Sequence, residues 1–551
     1  MGRTYFEKKQ KKRAVVSFIK IAAVLIICLL GILVYSNTLN VPFYMDDLRN
    51  IQDNPAIRNL KDIRLIWNFW PGRFITYLSF ALNYFFHKTR LAGYHLVNLA
   101  IHLATAALVW WLMLLTFLAP RMKDKKISKS GSLIAFLAGL VFVAHPVQTQ
   151  AVTYIVQRAA SLATLFYLAA LALYAKSRLS SNKTLKIIYY SAGLVSGILA
   201  MFTKEIAITL PLIILLYEFC FFKDKTSASL RRLIGFLLLL VVIPLTMAIT
   251  QSVNFSELRR VDDVPIAISA RHYLLTQFRV LITYIRLLFF PLNQNLDYDY
   301  PVLKSILQPQ VLISLLFLTV IIAIAVKLFS KYRLLSFGIF WFFIVLLPES
   351  SILPINDVIF EHRLYLAMFG YCLFLSCGVF YLFQNKGTKP AVLVLFALVC
   401  VYAVLAYSRN KVWQDPLLLW TDTIRKSPGK ARPYNNRGNV FAQRKDYQAA
   451  IDDYNVALRI DPYHVNAYYN RAFAYYQLGE YAKAINDYTE ALRLKPDFFQ
   501  AYNNRGAAYA MLGEYDKAIE DYQAALKINP AFKQASSNLQ GRFFFKLPLG
   551  K

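Results

Sequence analysis

Two aspartates, Asp46 and Asp47, stand side by side in Asn40-Val-Pro-Phe-Tyr-Met-Asp46-Asp47-Leu-Arg49-Asn50, a few residues beyond a long apolar run. A carboxylate at a membrane surface can accept the proton of an attacking hydroxyl. The alternative is a wet loop in which both are turn formers or helix caps. Arg158 lies in the otherwise uncharged stretch 152–175, where an unpaired guanidinium is expensive and must face a cavity or a partner, or else snorkel to the surface. Guanidinium groups hold phosphate bidentately. Lys204-Glu205 sits between two apolar runs with almost no loop. It reads either as a structural ion pair or as an ammonium facing an anionic ligand, with Glu205 orienting it.

Further polar groups stand at the ends of apolar runs. His145-Pro146 closes one, and Gln148-Thr-Gln150 follows. Glu361-His362-Arg363 opens another, and Arg73 opens a short helix-like segment. Tyr94, His95, Asn98 and His102 form a stripe at helical spacing, which favours interhelical hydrogen bonds over ligand contact. No H-E-x-x-H, P-loop or G-x-S-x-G motif is present, and no residue set calls for a metal or cofactor. Asp46, Asp47, Arg73, Arg158, Lys204 and Arg363 thus collect at one face of a bundle, with His95, His145, Glu205, Glu361 and His362 in support. One anionic, lipid-borne substrate explains the set. A polyprenyl-phosphate sugar offers an apolar tail to the bilayer, a phosphate to the cations and a sugar carbon at the interface.

The elements that must position these residues are apolar helices. Of 551 residues, 57% are hydrophobic and 17% charged, with a mean hydropathy of +0.41. Soluble domains carry roughly 25% charged residues, so a soluble enzyme, a disordered chain and a secreted disulfide scaffold are excluded. The five cysteines all lie in apolar runs, without C-x-x-C or zinc spacing, and read as small buried residues. Apolar runs at 14–35, 94–118, 132–150, 152–175, 187–203, 206–222, 233–252, 310–329, 335–348, 364–383 and 390–408 predict about eleven spans.

The net charge of +31 suggests nucleic acid until the charges are located. Basic residues concentrate at 1–13, 121–129, 176–186, 223–232, 327–333 and 386–389, while 37–72 is balanced and 348–363 is acidic. That alternation is the signature of cytoplasmic and outer loops, so no nucleic-acid partner is expected. Segments 73–87 and 273–290 read as interfacial or re-entrant helices on the outer face. The N-terminus is then an uncleaved cytoplasmic anchor, and everything after 408 lies outside the cytoplasm.

The last part is polar and repetitive. Pro428, Pro462, Pro496 and Pro530 are 34 residues apart, as are Tyr447, Tyr481 and Tyr515, and Ala450, Ala484 and Ala518. Gly438, Ala472 and Gly506 keep one position small. This is the tetratricopeptide pattern, which predicts three helical pairs stacked into a short α-solenoid with a concave groove. Asn436, Asn470 and Asn504, each followed by an arginine (Arg437, Arg471, Arg505), recur on the first helix of each pair. They suit backbone recognition of an extended acceptor peptide, or are consensus positions of the repeat itself. The expected organisation is a membrane domain at 1–410 with its first outer loop at 37–93, a linker at 411–427, three repeats at 428–540 and a tail at 541–551.

The series Asp46-Asp47, Arg73-Phe-Ile-Thr-Tyr-Leu-Ser-Phe-Ala-Leu-Asn83, Gly93-Tyr-His-Leu-Val-Asn98, His145-Pro146, Phe202-Thr-Lys-Glu205, Leu296-Asp-Tyr298 and Glu361-His-Arg-Leu-Tyr365, with the repeats behind it, resembles the transmembrane and tetratricopeptide-repeat (TMTC) O-mannosyltransferases and their bacterial relatives. The resemblance spans essentially the whole chain. It implies an all-α, GT-C-like transmembrane bundle followed by the solenoid, in the inner (cytoplasmic) membrane of a bacterium. It also implies inverting transfer of a mannose-like sugar from a polyprenyl-phosphate donor to a protein hydroxyl. Asp46 or Asp47 would be the base; Arg73, Arg158, Lys204 and Arg363 would hold the leaving phosphate. The competing readings are a lipid-linked sugar flippase and a non-enzymatic membrane-anchored scaffold. No inverted internal repeat supports the first, and one span would suffice for the second.

Overall fold

A computed structural model describes residues 2–222, 226–250, 260–261, 264–265, 268–351 and 353–543. The fold is all-α; one two-residue pairing, Arg260–Val261 with Val264–Pro265, is the sole strand contact among the described residues. Two compact units separate. One holds Met1–Leu296 and Tyr300–Gln414, the other Asp297–Asp299 and Asp415–Lys551.

Nine helices of the first unit are long and apolar enough to cross a bilayer, among the described residues. They account for nine of the eleven apolar runs, and they make this a membrane protein. The other two are shorter. The run 206–222 opens as the 3-10 turn Glu205–Thr209 and leaves only Leu210–Phe221 as α-helix, while 335–348 is the 14-residue helix Arg333–Leu346. At 1.5 Å per residue these reach only about 18–21 Å. Two further expected runs are also interrupted. Helix Gly131–Ala144 stops at His145, because Pro146 cannot donate to the preceding turn. The run from 152 breaks at the 3-10 turn Ile155–Gln157 before helix Arg158–Leu179 begins. Broken backbone of this kind is tolerated at membrane depth only where other protein groups or a cavity satisfy it. Segment 73–87 folds as the short helix Phe74–His87, and 273–290 as Ala270–Phe289.

Small residues set one close helix contact. A Cβ on Gly338 would lie 2.7 Å from the Gly370 carbonyl, and one on Gly370 would lie 2.7 Å from the Gly338 carbonyl. Helices Arg333–Leu346 and Leu364–Leu382 therefore pack backbone to backbone, as small residues allow in a membrane. Of the five cysteines, Cys220, Cys372 and Cys377 are buried, Cys28 is half-buried and Cys400 is exposed on its helix.

In the second unit the period-34 pattern folds as expected. The pairs are Ala431–Gln443 with Tyr447–Ile460, Val465–Gln477 with Tyr481–Leu494, and Phe499–Met511 with Tyr515–Ile528. The small position of each first helix meets a tyrosine of its partner: a Cβ on Gly438 would fall 2.6 Å from the Tyr454 ring, and one on Gly506 2.9 Å from Tyr522. Residues 411–427, expected to be a linker, are instead helical. Helix Lys389–Gln414 runs on to Gln414, and Asp415 caps the next helix, Pro416–Lys426, by accepting the Leu417 N–H at 2.9 Å. The tail at 541–551 lies outside the described residues from 544 onward, as do the side chains of the basic segment 1–13.

The turn inside each repeat requires a left-handed residue. Gly479 and Gly513 supply it at φ +79° and +82°, but the equivalent place in the first repeat is Lys445 at φ +63°. A side chain there costs about 1 kcal/mol or more relative to glycine. Lys445→Gly is expected to stabilise the first repeat by about 0.5–1 kcal/mol, read as a higher midpoint in thermal unfolding followed by circular dichroism. A lowered midpoint would refute the strain.

Candidate functional site

The two aspartates have different environments. Met45, just before them, is held at φ +42°, a left-handed conformation that a side chain resists. Asp47 holds it there. Fully buried, its Oδ2 accepts the Tyr44 N–H at 3.1 Å and its Oδ1 accepts the Val156 N–H at 2.7 Å. Asp47 thus ties the loop after the first long helix to the broken backbone before Arg158. Burial pushes its carboxyl up to about 8, against the pull of those two N–H groups. Asp46 is exposed, and its own N–H donates to the Tyr154 hydroxyl at 3.0 Å. The pair therefore divides into a buried anchor and a surface acid.

A strip of contacts runs from that acid to the cations. Asn50 donates to the Asp46 carbonyl at 2.9 Å and accepts the Tyr77 hydroxyl at 2.7 Å. Tyr77 stacks on Trp70 at 6.3 Å, and the Arg73 guanidinium sits 4.4 Å over the Trp70 ring. Burial pushes the Tyr77 phenol up to about 12, with the Asp46 charge adding to the rise, so it stays a donor at neutral pH. Arg73 grips Glu205 through Nε and Nη2, each at 3.0 Å. Burial alone would raise the Glu205 carboxyl, but the Arg73 charge outweighs it and holds the carboxyl below its ordinary range. The start of helix Phe74–His87 is fixed to the same turn: the Ile75 N–H donates to the Phe202 carbonyl at 3.0 Å and the Thr76 hydroxyl to that of Thr203 at 2.8 Å.

Lys204 and Glu205 do not pair with each other, as a structural ion pair would require. Lys204 Nζ reaches Glu349 at 2.7 Å, and the Glu349 carbonyl accepts the Tyr273 hydroxyl at 2.6 Å. Arg363 donates to the carbonyls of Val358 and Asp357 at 3.1 and 2.8 Å, neutral acceptors that leave its charge to be balanced by more distant groups. His362 feels the charges of Lys204, Arg363 and Arg73 together. Three of the four expected cations are therefore within electrostatic reach of one histidine.

Arg158 stands apart as a brace. Its Nε donates to Asn98 Oδ1 at 2.6 Å, Nη2 to Asn83 Oδ1 at 2.7 Å and to the Tyr94 carbonyl at 3.1 Å, and Nη1 to the Ser79 carbonyl at 3.3 Å. It also lies 4.6 Å from the centre of the Phe80 ring. Protein acceptors surround this guanidinium, which the sequence reading assigned to phosphate. Three of the supporting residues, His95, His145 and Glu361, are held in the same way. His95 Nε2 meets the Val41 carbonyl at 2.8 Å, and His145 accepts the Val147 N–H at 3.2 Å while its Nε2 meets the Leu288 carbonyl at 2.9 Å. Glu361 accepts from the Gln294 side chain at 2.8 Å and the Asn295 N–H at 2.6 Å. Asn98 and His102 make interhelical bonds, to Val152 and Tyr365.

In the repeats, Arg437, Arg471 and Arg505 each form a bidentate bridge within their own repeat, to Asp453, Asp487 and Asp521, at 2.7–2.9 Å. Asn470 donates to Asn435 of the preceding first helix at 3.0 Å, Asn504 to Tyr469 at 2.9 Å, and Asn436 accepts from Asn435 at 3.2 Å. The consensus reading of these six residues thus accounts for their contacts. Sequence reasoning passed over Glu349, Tyr77, Trp70 and Asn50. Glu349 carried a signal, an acid at the end of an apolar run. The aromatic residues carried none.

Tetratricopeptide-repeat models match residues 438–479, 474–513 and 499–532. Among curated proteins, the chain is 27% identical to protein O-mannosyl-transferase F38B6.6 of Caenorhabditis elegans, over 79% of this chain and 62% of that protein. It is 27% identical to Tmtc3 of Drosophila melanogaster, covering 79% and 55%, and 25% identical to human TMTC3, covering 76% and 49%. These relatives are protein O-mannosyl-transferases, the resemblance read from the motif series. The chain spans between about half and six-tenths of their length. Among solved structures, the first tetratricopeptide domain of Spaghetti (RPAP3) with an HSP90 peptide covers 21% of this chain and 92% of its own, at 32% identity and a TM-score of 0.21.

Two outcomes test this geometry. Arg158→Met strands buried acceptors, each worth about 1–3 kcal/mol when unpaired, and should lower the melting temperature of the detergent-solubilised protein; an unchanged melt would refute the brace. Asp47 has a folded pKa above its unfolded one, so its contribution to stability is full below about pH 4 and is lost as pH rises through about 8. Wild-type melting temperature should fall across that window, and Asp47→Asn should flatten the slope.

Proposed function

We propose that this protein is a membrane glycosyltransferase that moves a sugar, mannose-like by resemblance to its relatives, from a polyprenyl-phosphate donor to a hydroxyl of a protein acceptor, with inversion. The observation that carries this is the strip linking exposed Asp46, through Asn50, Tyr77 and Trp70, to Arg73. It sets an acid and a cation group on one braced surface. The O-mannosyl-transferase names of the relatives supply the reaction class.

In the proposed step the acceptor O–H bond breaks toward the Asp46 carboxylate, which takes the proton. The acceptor oxygen forms the new bond to the anomeric carbon. On the opposite face the bond from that carbon to the phosphate oxygen breaks, and the electron pair leaves with the polyprenyl phosphate. The donor carries one negative charge and the leaving phosphate a second, so charge develops where fixed cations hold it. Arg363 is the first candidate, because its guanidinium donates to the neutral carbonyls of Val358 and Asp357. Lys204 and Arg73 are the other candidates, each paired with a glutamate that keeps it in place. Asp47 is a positioning residue, and no step uses a metal or cofactor. The second unit, on the extracytoplasmic side, presents the acceptor.

The test is transfer by the purified full chain from a panel of polyprenyl-phosphate sugars to candidate periplasmic proteins, read as a mass shift. Asp46→Asn should lower the rate by about 10²–10⁴-fold while leaving the melting temperature and acceptor binding unchanged. Full activity in Asp46→Asn would overturn the base assignment. Absence of transfer from every donor would favour a scaffold.

A further inference from the structure

Polar atoms buried among apolar helices nearly always find a partner, and a group of them that does not requires a cause. Five such atoms collect at one junction of the first unit. Both polar atoms of the Gln148 amide, the Thr149 hydroxyl, the Gln150 amide nitrogen and His362 Nδ1 are buried without a hydrogen-bond partner. Gln148 and Thr149 are 0% exposed, Gln150 1% and His362 7%. They come from two short elements packed on one another: the turn Pro146–Gln148, running into helix Thr149–Thr153, and the turn Glu361–Arg363. Gln150 Oε1 accepts the His362 N–H at 2.8 Å, which joins the two. Gln294 clamps them from the side, donating to the Pro146 carbonyl at 3.0 Å and to Glu361 at 2.8 Å.

The chemistry of those atoms narrows the ligand. They are amides, a hydroxyl and an imidazole, all neutral or able to be so, and between them they both donate and accept. A phosphate would call for cations, a metal for carboxylates or thiolates, and a lipid tail for no polar atoms at all. Sugar hydroxyls each donate and accept, and fit such a set. The next residue along the chain is Arg363.

We propose that Gln148, Thr149, Gln150 and His362 form a subsite for the hydroxyls of a hexose whose phosphate lies toward Arg363. This rests on the donor reading above and deepens it. It assigns sugar recognition to the Pro146–Thr153 segment, separate from the Asp46 base and from the repeats.

The experiment is donor binding, measured by thermal shift and titration on the purified full chain, with bare polyprenyl phosphate and polyprenyl-phosphate mannose, glucose and N-acetylglucosamine as probes. Wild type should bind at least one phospho-sugar more tightly than the bare lipid phosphate. Gln148→Met, close in shape and unable to hydrogen-bond at its tip, should weaken that phospho-sugar at least tenfold and leave the bare lipid phosphate unchanged. Thr149→Val carries the same test if Gln148→Met does not elute as a folded species. Arg363→Gln should weaken both ligands. A Gln148→Met or Thr149→Val protein that keeps the full sugar preference would overturn the subsite, the junction then holding water only. So would a wild type that binds bare and glycosylated phosphates equally, with the lipid-phosphate reading left intact. Failure of wild type to bind either would remove the donor reading, and the subsite with it.

Discussion

A charge carried among apolar helices has no water to return to, so it must be paired, capped or spent on a ligand. That constraint organises the membrane unit. Arg158 meets it with four protein acceptors and an aromatic face, and so ties helices Phe74–His87 and Leu91–Leu118 to the start of Arg158–Leu179. Glu218 meets it on another helix with Tyr174 and Arg178, at 2.7–3.1 Å. Arg73 and Lys204 meet it with glutamates from other segments. Each solution is also a cross-link between helices, so the polar minority of the chain defines how the apolar majority is arranged.

The aspartate pair shows how such a constraint gives two neighbours different environments. A left-handed Met45 would relax if the loop were loose. Asp47 prevents it by spending both carboxylate oxygens on backbone N–H groups, one local and one from the distant residue Val156. The strain is held in place by the surrounding contacts, and the outcome is that Asp46 stands at the surface in one orientation. A neighbouring pair of identical residues thereby takes two roles, because one is buried and the other is not.

The repeats solve a different problem with a different economy. Their arginines recur because each closes a bidentate bridge to an aspartate sixteen residues on. Two of their asparagines, Asn470 and Asn504, reach the preceding repeat. A residue that repeats with the fold is most simply explained by the fold. Groove specificity then has to come from positions that vary between repeats.

Apolar periodicity and the 34-residue period determined that the chain is all-α, that it crosses a membrane and that it ends in tetratricopeptide repeats, because these depend on local patterns of side chains. Nine of eleven runs became long helices. The two that fell short, and the breaks at His145 and Tyr154, turned on backbone details that hydropathy does not register. The motif series also pointed to the relatives later found. What no linear reading could decide was the pairing of charges: that Lys204 leaves its neighbour Glu205 for Glu349, that Arg158 is enclosed by asparagines, and that Asp47 is buried while Asp46 is not. Those outcomes depend on which segments, up to 145 residues apart, arrive at the same place. Partner distance and burial are properties of the packed chain, and the energy of a buried charge is set by them rather than by its neighbours in sequence.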